Sequence, residues 1–169
     1  EYRKVEFRGA AMMATSMSAD APERIPMLCG EDGQLCRDYA AQPWQVVIDA
    51  AEEAYDRSAE CKFTSFIAYE YTGTPNNANY HRNVIFRNGS VPDLPVTYME
   101  NPFDHLLWTQ LDKVCNESNS CEYLTIPHNS NISNGRLLTP YANLEPSMEN
   151  RKNYAQARLK NEPMMEIFQ

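Results

Sequence analysis

Three histidines occur in the 169-residue chain, so the position of each is informative. His128 follows Leu124-Thr125-Ile126-Pro127, the end of a short β-forming run that begins near Cys121. Glu70 closes Phe66-Ile67-Ala68-Tyr69, a second apolar run. Residues at the carboxyl ends of strands in a parallel α/β sheet face the mouth where ligands bind. An acid inside an apolar strand costs free energy unless it is paired or coordinates a metal. His81 opens a further strand, within Asn79-Tyr80-His81-Arg82-Asn83. Two imidazoles and a carboxylate are the ligand set of several open catalytic metal sites. Glu70, His81 and His128 are therefore the candidate ligands of a divalent ion of the zinc, manganese or iron kind. Such a site keeps a position for water and acidifies it towards neutral pH. Arg82 is expected to orient an anionic group on a small-molecule substrate, with Asn129 assisting and Asn83 and Asn131 offering further hydrogen bonds. Separations of 11 and 47 residues between the three ligands match no compact motif, so satisfied core histidines are the competing reading. His105, beside Leu106-Leu107 on a helical stretch, is expected to be a solvated or half-buried helix residue.

Other chemistries lack their signatures. The chain has no G-x-S-x-G, no P-loop and no G-x-G-x-x-G, and Glu52-Glu53 reads as a solvated helix face. Five cysteines include no C-x-x-C. Two local pairs, Cys29/Cys36 and Cys115/Cys121, each enclose a short polar loop and are candidate disulfides, which favours a periplasmic or secreted setting. Reduced cysteines in a cytosolic protein are the alternative. Cys61, left over before a strand, is expected to be a buried thiol. The sequons at Asn88, Asn116 and Asn131 would matter only in a eukaryotic secretory pathway.

The elements that must position these residues are read from patterning. Residues 1–41 look like an irregular, disulfide-bearing lead-in. Pro43 then sits at a helix first turn, with Trp44, Val47, Ile48, Ala51 and Tyr55 at helical spacing to about Arg57. Strands are expected over 61–71, 80–87, 121–127 and 164–168, and helices from Asn101 and over 147–160. Asn129–Pro140 reads as loop. Strand and helix alternate, which argues an α/β fold with mainly parallel strands. A net charge of −8 disfavours nucleic acid or anionic membrane as partners. No apolar run approaches the roughly 18 residues of a transmembrane segment.

Several blocks resemble a bacterial family known as a domain of unknown function, DUF3604: Pro22-Glu-Arg-Ile-Pro26, the Cys29–Cys36 loop, Pro43-Trp44 and Phe63–Thr72. His81-Arg-Asn-Val-Ile-Phe-Arg-Asn88, Ile126-Pro-His-Asn-Ser-Asn-Ile-Ser-Asn-Gly135 and Glu162–Gln169 belong to the same pattern. That family is similar to the polymerase-and-histidinol-phosphatase (PHP) metallohydrolases. The resemblance implies a distorted, TIM-like β/α barrel, with Glu70 bridging two metals and His81 and His128 completing one of the metal sites. The early H-x-H and late Asp-x-His of such proteins do not occur here. With an opening Glu1, this marks residues 1–169 as one incomplete domain, the middle segment of a larger barrel. The expected activity is hydrolysis of a phosphoester, or of an amide or ester, by metal-activated water. The alternative is a non-catalytic extracytoplasmic binding or scaffold module on a degenerate barrel.

Overall fold

The computed structural model describes residues 2–117, 121–139 and 147–167. The lead-in is helical, not irregular. It comprises α1 (Tyr2–Met17), a single-turn α2 (Pro26–Cys29) and the start of α3 (Gln34–Ala54). The helix placed at Pro43 therefore begins nine residues earlier and carries Pro43 in its interior. Local chemistry at the 29–36 loop explains the earlier start. Gly33, at φ 73°, makes the left-handed turn that a residue with a Cβ resists, and the Asp32 carboxylate accepts the Gln34 N–H at 2.9 Å. The Cys29–Cys36 disulfide then ties α2 to the first turn of α3.

Three strands form one sheet, β1 (Ala68–Gly73), β2 (Tyr80–Phe86) and β3 (Tyr123–His128), in the order β1-β2-β3. Both pairings are antiparallel. This corrects the expected fold: the described residues form a small antiparallel sheet with five helices, not part of a parallel TIM-like barrel. The Thr74–Asn79 link explains the first pairing, because a parallel crossover needs a dozen or more residues.

The second pairing turns on the path between β2 and β3. After Phe86 the Pro-rich segment runs back along the inner face of the sheet. Trp44 Nε1 donates to Pro92 O at 2.8 Å, Tyr69 OH to Val96 O at 2.9 Å and Tyr71 OH to Asn101 O at 2.6 Å. Only then does α4 (Asp104–Glu117) set out, from beside Tyr80, whose hydroxyl accepts the Asp104 N–H. The extended segment has already made the return journey, so α4 travels the same way as β2 and β3 must come back against it. A βαβ unit would have used the helix itself for the return.

Alternation along β2 turns Tyr80, Arg82, Val84 and Phe86 inward and His81, Asn83 and Ile85 outward. The inner face packs on Trp44 of α3, on Leu107, Trp108 and Leu111 of α4, and on Tyr154 of α5 (Met148–Asn161). Gly73 is required by a close approach, since a Cβ there would lie 2.4 Å from the Tyr98 ring. The expected last strand is not one over Met164–Ile167, although Glu166 N–H donates to Pro127 O at 3.0 Å. Phe168 and Pro140 lie outside the described residues.

Candidate metal centre

The site is built on the face of the sheet turned away from the core. His81 and His128 are partners in the β2–β3 register, and their rings stand at 72° with centroids 5.6 Å apart. Glu70 pairs with Asn83, which places it diagonally beside His81 on the same face. The carboxylate reaches both imidazoles. Glu70 Oε1 is 2.9 Å from His81 Nδ1 and 3.1 Å from His128 Nε2. One ligand atom from each residue fits within 4.8 Å of the others. The structure thus brings together the three residues that the sequence separates by 11 and 47 positions.

Burial is uneven across the cluster. The imidazoles are 16% and 13% exposed, whereas the Glu70 side chain is 47% exposed and opens the site to solvent. His81 Nε2 is buried without a hydrogen-bond partner, and His128 Nε2 has only the poorly aligned approach to Glu70 Oε1 at 3.1 Å. Unsatisfied buried nitrogens are costly, so the donor set fits a cation that would use such lone pairs. Desolvation lowers the His81 pKa below the ordinary imidazole range, while the charge and hydrogen bond of Glu70 oppose it. Neutral imidazole is the form that binds a metal.

Other predicted residues are placed differently. Asn83 lies on the same outward face and is exposed. Asn129 follows His128 at φ 59° and opens a 3₁₀ turn over Ser130–Ile132, with its N–H donated to Glu166 Oε2 at 2.8 Å. Arg82 is not at the mouth. Being adjacent to His81, it must face the other way, and its guanidinium is wholly buried. It donates to Glu162 Oε1 (2.6 Å), Asp104 Oδ2 (3.2 Å) and Leu137 O (2.9 Å), with its guanidinium carbon 4.1 Å from the centre of the Tyr80 ring. Arg158 joins the same cluster through Asp104 at 2.7 Å and Glu162 at 3.3 Å. Burial pushes the Asp104 carboxyl up, but the His105 side chain, the Arg82 charge, the Tyr154 hydroxyl and Arg158 outweigh it and hold the pKa at about 2. His105 is half-buried on α4, as expected.

Both cysteine pairs are disulfide-bonded, Cys29–Cys36 and Cys115–Cys121, which fits an extracellular or periplasmic protein. Cys61 corrects the expectation of a buried thiol: it is exposed at φ 44°, ahead of the strand rather than in it. No helix among the described residues is long and apolar enough to cross a membrane. Two open clefts of about 490 and 500 Å³ lie elsewhere, one lined by Arg37, Pro95 and Gln110 and the other by Met12, Glu23 and Ile25. The residue that sequence reading missed is Glu166. Its signal was present, since it is a lone acid in the apolar run Met164–Phe168, the same pattern that singled out Glu70.

The family model described as "Protein of unknown function (DUF3604)" matches residues 3–169. The chain belongs to the DUF3604 family. Comparison with curated proteins and with solved structures gave no match.

Proposed function

We propose that this DUF3604 chain carries a divalent-metal site of a hydrolase, held by Glu70, His81 and His128. The observation that carries the reading is the convergence of one carboxylate oxygen and two half-buried imidazoles within 4.8 Å on one face of the sheet. A cation bound there supplies Lewis acidity and acidifies water near neutral pH. Burial keeps His81 in the neutral, ligating form, and Glu70 brings the negative charge that offsets the cation's own. The exposed edge at Glu70 gives a small substrate its way in, beside the exposed Asn83 that pairs with it. The resemblance to PHP metallohydrolases supports a phosphoester as the substrate class and the same three residues as ligands. Arg82 takes no part in this reading, since its guanidinium is wholly buried in the core and held there by Glu162 and Asp104.

The test is metal analysis of the full-length protein and its His128→Ala variant, beside phosphoesterase assays. The variant is expected to lose most of its bound zinc, manganese or iron together with its activity. Unchanged metal stoichiometry in the variant would sink the assignment.

A further inference from the structure

Glu166 meets the backbone on both sides of His128. Its N–H donates to Pro127 O at 3.0 Å, and its Oε2 accepts the Asn129 N–H at 2.8 Å. The His81–His128 pair is the last rung of the β2–β3 register, so the ladder holds His128 from one side only. Beyond it Asn129 sits in the left-handed region at φ 59°, which asparagine adopts readily, and turns the chain out of the ladder into Ser130–Ile132. A carboxylate bonded to a backbone N–H is a charge-assisted and comparatively strong restraint. Residue 166 therefore supplies a hold beyond the last rung of the ladder, where β2 offers none.

We propose that Glu166 is the positioning residue of this site: its two-point clamp on Pro127 and Asn129 fixes the backbone from which His128 reaches Glu70 and His81. The role rests on the metal-site reading for its function, but the clamp acts on His128 whether or not a metal is present. Partners that orient a metal-ligating histidine typically contribute 10- to 100-fold in metal affinity. The Glu166 N–H bond survives any substitution other than proline, so only the side-chain half of the clamp is open to mutation.

The experiment compares wild type, Glu166→Ala and Glu166→Gln in the full chain. Zinc affinity is measured by competition titration, and the ring-to-ring NOE between His81 and His128 is measured without metal. The Ala variant is expected to bind zinc about 10- to 100-fold more weakly and to lose or broaden that NOE. Gln, whose amide oxygen accepts the same N–H, is expected to recover most of both. Three results overturn the proposal: an Ala variant with wild-type zinc affinity, an unchanged NOE in that variant, or a defect that Gln fails to recover. If wild type binds no zinc, the metal reading falls and the NOE comparison alone decides the clamp.

Discussion

Replacing Arg82 with methionine separates its structural setting from the substrate-orienting role expected of it. Methionine keeps an apolar stem near the Tyr80 ring but removes the three donors spent on Glu162, Asp104 and Leu137 O. It leaves two carboxylates at 1% and 0% exposure, and truncating one partner of a buried ion pair usually costs about 3–5 kcal/mol. Arg158 still reaches both acids at 2.7 and 3.3 Å, which argues for the low end, about 3 kcal/mol. Urea denaturation followed by fluorescence of the buried Trp44 and Trp108 reads this out as a lower midpoint at unchanged slope. Adding Glu162→Gln to Arg82→Met should recover part of the loss, because a neutral amide is less costly to bury than an unpaired carboxylate. A loss below about 1 kcal/mol, or a variant of normal stability that is impaired only in substrate binding, would refute the reasoning.

Two further outcomes follow from the geometry. Gly73→Ala would put its Cβ 2.4 Å from the Tyr98 ring, so we expect a lower thermal midpoint and a loss of about 1–3 kcal/mol, relieved when Tyr98 is shortened to leucine. His81 has a folded pKa below the unfolded value of about 6.5, so the unfolded chain binds more protons below that pH. Its contribution is therefore complete above about pH 6.5 and lost as pH falls: the metal-free thermal midpoint should drop between pH 7.5 and 5.5, with a smaller drop in His81→Gln, and an identical slope in the two proteins would contradict this.

What the sequence determined by itself is local. The run Tyr80–Phe86 alternates and forms a strand over those residues, Phe103 to Leu111 repeats at helical spacing and α4 follows, and short polar loops close both disulfides. The three candidate ligands were also legible, because polar groups stand out against apolar strand neighbours, although Glu70 lies within β1 and not at the strand end expected for it. The start of α3 was not, since it depends on Gly33 and the Asp32 carboxylate rather than on the apolar stripe around Trp44. Strand direction and the fate of Arg82 were decided only by tertiary structure. Direction depends on how the 88–101 segment spends its hydrogen bonds on Trp44, Tyr69 and Tyr71, partners up to 48 residues away. Once β2 lies between β1 and β3 with His81 facing out, its pleat drives Arg82 inward, where Glu162, 80 residues on, is what makes a buried guanidinium tolerable. Periodicity is written in neighbouring residues; which face meets the core, and which distant acid waits there, is fixed only when the chain closes on itself.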